Sequence, residues 1–164
     1  MGCKQADYKD IRSQIKQGDI IAFSGHTPIS GVIKKATQSV VSHVAIIIQT
    51  KIVREGNDPR FFNNIMESTG SGGSHGYGGV RMTRLSYHVQ NFDGEIWWLP
   101  LSQKTRDALN IEKFFDWCFE QEGKEYDKCQ AIAIGLKRVI ERMEGDVTPS
   151  SPNDQDEKEK ILQK

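Results

Sequence analysis

The strongest apolar signal in the chain is the run Val44-Ala45-Ile46-Ile47-Ile48 within residues 42–50. Consecutive apolar residues, mostly β-branched, predict a strand buried on both faces. Alternation along it puts His43, Ala45 and Ile47 on one face and Val44, Ile46 and Ile48 on the other. Shorter runs predict further strands at 20–23 and 64–69, and one over 94–101 that Pro100 stops. Helical spacing predicts a short helix over 7–17 (Ile11, Ile15) and another over 29–39 (Ile29, Val32, Ile33, Ala36). Between them, residues 24–28 have turn composition, as do 54–60. The segment GSGGSHGYGG at 70–79 is too rich in glycine for regular structure, and 80–87 is expected to contain a helical turn.

The last third changes character. Ala108, Ile111, Phe115 and Cys118 predict a helix over 105–121, ended by Gly123. Ile132, Leu136, Val139, Ile140 and Met143 predict a second over 128–143, with Asp127 as cap and Gln130 completing a capping box. Short strands followed by helices imply an α+β fold, a small antiparallel sheet with packed helices. One domain is expected over 1–144. Residues 145–164, rich in Pro, Ser and charge, are expected to be disordered, or the start of a truncated segment.

Charge narrows the possible partners. Lys plus Arg is 22 and Asp plus Glu is 22, so the formal net charge is zero. A nucleic-acid partner is not expected, because phosphate binding needs a basic surface. No apolar run is long enough to span a membrane, and residues 1–10 do not resemble a signal peptide, so a cytoplasmic or otherwise soluble location is expected. Gly2-Cys3 has part of an acylation pattern, but Ala6 stands where Ser or Thr is required. The three cysteines, Cys3, Cys118 and Cys129, are too few and irregular for a disulfide framework.

Two residues on predicted strands have catalytic chemistry. His43 carries an imidazole, the side chain suited to proton transfer near neutral pH, although a core histidine bonded to a backbone carbonyl fits the pattern as well. Glu67 lies inside an apolar strand, where an unpaired carboxylate would be costly. On a neighbouring strand it could orient the imidazole, as the third member of a triad does; a solvent-facing glutamate on an edge strand is the alternative. Cys129 is the candidate nucleophile, because a helix N-terminus favours the thiolate. It also continues the apolar stripe of Ile132, where a free cysteine packs as a small hydrophobe. Cys118 is expected to pack in the core, and Cys3 to lie in a mobile terminus. The histidines His26, His43, His75 and His88 lack zinc-site spacing, so no metal is expected. Trp97 and Trp98 are expected on opposite faces of one strand, one of them in the core.

Several segments together resemble a known family. GDIIAFSG (18–25), Ser30, Ile33, Thr37, Ser39 and SHVAIII (42–48) are similar to the opening of circularly permuted NlpC/P60 hydrolases, papain-like proteins of the YiiX/YebB type. The resemblance continues through IMESTGSGG (65–73), GV (79–80), GEIWWLPL (94–101) and GKEYD (123–127), and covers roughly 16–140. It implies a permuted papain-like fold in which His43 is the general base and Glu67 the polar residue that orients it. It also implies a cysteine late in the chain, opening a helix in a Cys-Ser-Glu-Leu-like motif. Here Tyr126-Asp127 is followed at once by Lys128-Cys129, and no such motif appears before Lys164. Either Cys129 substitutes for it or the nucleophile lies beyond this sequence. The implied activity is thiol hydrolysis of a peptide, cell-wall or lipid-linked amide, without metal or organic cofactor. An inactive binding or regulatory module, or a lipid acyltransferase or thioesterase, would use the same scaffold.

Overall fold

The computed structural model describes residues 4–52, 60–70, 78–125 and 159–162. The elements run β1 (Lys4–Asp7), α1 (Tyr8–Ile11), β2 (Ile20–Gly25), α2 (Pro28–Thr37), β3 (His43–Ile52) and β4 (Arg60–Thr69). They continue with β5 (Gly79–Arg84), α3 (Leu85–Asn91), β6 (Gly94–Leu99), α4 (Gln103–Ala108), α5 (Ile111–Gln121) and β7 (Glu159–Leu162). The fold is α+β. Its centre is a five-strand antiparallel sheet in the order β6-β2-β3-β4-β5. β7 adds antiparallel to β6, and β1 lies parallel to β7 at the edge.

The sheet has a core on each face. On the face of Ala45 and Ile47, the residues Ile21, Phe23, Ile65, Ile96 and Trp98 pack with Ile11 and Ile15 from the N-terminal segment and Leu85 and Val89 from α3. On the other face, Ile48 and Met66 pack with Cys118, flanked by Ile46, Val80, Met82, Phe114 and Phe115. α5 therefore covers the β3-β4-β5 half of this second face. Burial of β3 on both faces is only partial: Ile47 and Ile48 are buried, whereas Val44 is 57% exposed. Trp98 is in the core and Trp97 is half-buried.

Four elements differ from their predicted form. Helix 7–17 shrinks to Tyr8–Ile11, capped by the Asp7 side chain on Lys9 N (2.9 Å). The segment at 80–87 divides into an edge strand and a helix, because Val80 and Met82 face α5 while Arg81 and Thr83 face the opposite side. Helix 105–121 is broken at Leu109, where the backbone is extended; Asn110 then starts α5 by accepting from Lys113 N at 2.9 Å. In the polar tail, Glu159–Leu162 is a strand rather than disordered, and it takes the free edge of β6. The predicted helix over 128–143 lies outside the described residues.

A buried carboxylate locks the start of β2. Asp19 is 0% exposed. Its Oδ2 accepts from Lys16 N and Trp98 Nε1, both at 2.8 Å, and its Oδ1 from Leu101 N at 3.0 Å and from the Arg106 guanidinium. Gly18 before it has φ +83°, and a Cβ there would press on Leu101 and Leu109 at 3.0 Å. The Gly-Asp-Ile sequence thus joins β2 to β6 and α4. Among the described residues, no helix is long and apolar enough to cross a membrane.

Candidate active site

Sheet register brings the site together. Phe23 on β2 pairs with His43 on β3, and Glu67 on β4 pairs with Arg81 on β5. Ile46 pairs with Met66 and Ile47 with Ile65, so His43 and Glu67 are diagonal neighbours on one face. Diagonal neighbours on antiparallel strands are within reach of long side chains. Here Glu67 Oε2 accepts from His43 Nε2 at 2.9 Å. The glutamate side chain is 3% exposed and the imidazole 29%.

The second carboxylate oxygen is also engaged. Glu67 Oε1 accepts from Arg81 Nε at 3.1 Å, forms an ion pair with Arg81 Nη2 at 3.1 Å, and lies 3.5 Å from Thr83 Oγ1. His88 Nε2 approaches the same oxygen at 3.4 Å and Thr83 Oγ1 at 2.9 Å. His88 comes from α3, which Leu85 and Val89 anchor in the core three residues before it and one after. Phe23 is fully buried beneath both imidazoles, with ring centroids 5.4 Å from His43 and 5.5 Å from His88.

Burial alone would raise the Glu67 pKa. Hydrogen bonds from His43 and His88, and the attraction of their positive charge, outweigh burial and hold the carboxyl well below its ordinary range. Glu67 is therefore an anion at neutral pH. An anion at Nε2 favours the tautomer with the proton on Nε2 and the lone pair on Nδ1. With Nε2 bonded to Glu67, Nδ1 is the ring nitrogen left to take up a proton.

Both strand candidates thus belong to one constellation. Glu67 is not on an edge strand, since β5 covers its outer side. The cysteines divide. Cys118 is 0% exposed in the α5 core, and burial raises its thiol pKa. It packs with Ile48 and Met66, on the face opposite His43, so the sheet separates it from the imidazole. Cys129 and Cys3 lie outside the described residues, as does His75. His26 pairs with Asp93 at 3.1 Å on the surface, away from this cluster. No His/Cys/Asp/Glu group able to hold a metal ion occurs among the described residues.

Arg81, Thr83 and His88 carry part of the site without a sequence motif. Their signals were periodic: alternation from Val80 to Arg84, then Leu85, His88 and Val89 at helical spacing. No family model matches this chain, and no curated protein matches it.

Proposed function

We propose that this chain is a papain-like thiol hydrolase of peptide or amide bonds, of the circularly permuted NlpC/P60 type. The observation that carries this is the 2.9 Å contact between His43 Nε2 and a buried, ionised Glu67. Glu67 orients the imidazole and stabilises its protonated form. His43 Nδ1 takes the proton of a cysteine thiol, and the thiolate attacks the substrate carbonyl carbon. The protonated imidazole then gives its proton to the departing amine. Water, deprotonated by the same nitrogen, attacks the acyl-enzyme and releases the acid with regeneration of the thiol. Cys129 is the nucleophile of choice, and neither metal nor organic cofactor takes part.

The test is labelling by iodoacetamide, read by mass spectrometry, in parent and His43→Ala proteins. Cys129 should label fast in the parent and at least tenfold more slowly in the variant. Equal, slow labelling of Cys118 and Cys129 in both would overturn the assignment and leave a binding module on this scaffold. A lipid acyl substrate is the second reading. Ile29, Val32, Val40 and Val44 are 57–75% exposed in and beside the segment leading to His43, an apolar surface suited to an acyl chain. Product analysis with labelled phospholipid against labelled peptide separates these chemistries.

A further inference from the structure

Glu67 serves two imidazoles. His43 from β3 holds Oε2 at 2.9 Å, and His88 from α3 lies 3.4 Å from Oε1. The other groups facing this carboxylate are Arg81 and Thr83 from β5; β2 contributes the uncharged Phe23. Tyr87 packs edge-on against the outer side of His88. The His88 side chain is only 12% exposed, so water screens it weakly.

Thr83 fixes the orientation of the His88 ring. His88 Nε2 donates to Thr83 Oγ1 at 2.9 Å, and the Thr83 hydroxyl turns toward Glu67 Oε1 at 3.5 Å. The carboxylate favours a proton on Nε2 in the neutral ring too, as it does for His43, so the proton that His88 gains or loses is the one on Nδ1. A cation at His88 also competes with protonated His43 for one negative charge.

We propose that His88 is a positioning residue that acts on His43 through their shared Glu67 carboxylate, so that the two imidazoles titrate as a coupled pair. Protonation of His88 lowers the affinity of His43 for its own proton, and loss of that proton restores it. Coupled sites show macroscopic titration steps that belong to the pair. The carboxylate bridges the rings, 2.9 Å from one and 3.4 Å from the other, so two positive charges here repel across a short, partly buried gap. This rests on His43 being the base of the proposed hydrolase, but its test needs neither substrate nor nucleophile.

The experiment follows the imidazole resonances of His43 and His88 by heteronuclear NMR from pH 4.5 to 9. The full chain is compared with its His88→Gln and Thr83→Val variants. The parent should show a broadened His43 curve with an inflection at the His88 midpoint. His88→Gln keeps a donor beside Thr83 but cannot titrate. It should give a single-step His43 curve with its midpoint moved upward. Thr83→Val should leave the inflection in place, because the coupling runs through the Glu67 charge. A His43 curve that is single-step in the parent and unmoved in His88→Gln, with the amide spectrum otherwise native, would overturn the proposal. Inactivity toward amides with the coupling intact would instead count against the hydrolase alone.

Discussion

Replacing Glu67 by glutamine tests the site at its centre. The amide is nearly isosteric, so the effect reports charge and proton placement rather than volume. In the parent, one carboxylate serves His43 at 2.9 Å and Arg81 twice at 3.1 Å, with a side chain only 3% exposed. Hydrogen bonds to an ionised partner contribute about 1.5–3 kcal/mol each, against about 1 kcal/mol for neutral ones. Two such contacts weakened to neutral strength, with Arg81 and His43 each 29% exposed and able to rehydrate, cost about 2 kcal/mol at pH 7. The cost depends on pH with a definite sign. The native Glu67 pKa lies below its ordinary value of 4.5, so the carboxylate contributes fully above that value. Its contribution is lost as pH falls through the lower native value. Urea denaturation of both proteins from about pH 4.5 down to about pH 3 should therefore show a gap that narrows as pH falls. The amide also reverses the tautomer. With its oxygen toward Arg81, its NH₂ meets His43 Nε2, which must then accept and carry its proton on Nδ1. Labelling of the active thiol should fall by about two orders of magnitude or more, as for other triads with the wrong tautomer. A gap as wide at pH 3 as at pH 4.5, or none at either, would refute the reasoning.

Two further substitutions probe the frame. Asp19→Asn should destabilise by about 3 kcal/mol in urea denaturation. Whichever way the amide turns, its NH₂ faces donors, either Leu101 N and Arg106 or Lys16 N and Trp98 Nε1. Cys118→Ala should cost about 1 kcal/mol, the loss of one small buried group, with Cys129 labelling and any hydrolysis unchanged. A loss of thiol reactivity at Cys129 in that variant would mean that the α5 core communicates with His43.

What the sequence revealed depended on whether neighbours could be inferred. The β-branched run of β3 announced itself, and the Phe23 and Trp98 strands beside it were short but apolar. β5 was hidden because Arg81, Thr83 and Arg84 make Val80–Arg84 look polar, and only its role between Glu67 and α5 explains the alternation. The break at Leu109 was hidden by an apolar rhythm that continues across it. Glu67 was recognisable as unusual from its apolar flanks, yet its burial depends on β5, whose pairing no local pattern specified. His88 had no motif at all. Its function comes from α3 crossing the face of a sheet formed by residues far from it in sequence.

The fold also constrains where a nucleophile can enter. A thiol serving His43 must come within roughly 3.5 Å of Nδ1. Cys118 cannot, because the sheet lies between them. The chain leaving α5 turns at Gly123, whose N–H donates to Val80 O at 2.9 Å, and Val80 N donates back to Lys124 O at 2.8 Å. It is thereby fastened to the first residues of β5. Those residues pair with Ser68 and Thr69 at the end of β4, which is the end of the sheet where β3 begins with His43. Cys129 follows four residues after Glu125, a reach of at most about 14 Å in extended chain. Two strand spacings, about 10 Å, separate β5 from β3. The anchoring of Gly123 and Lys124 therefore places the end of the described segment beside the first residues of β5, at the end of the sheet where β3 begins. Chain length alone therefore permits the proposed role of Cys129, whereas the position of Cys118 on the opposite face excludes it.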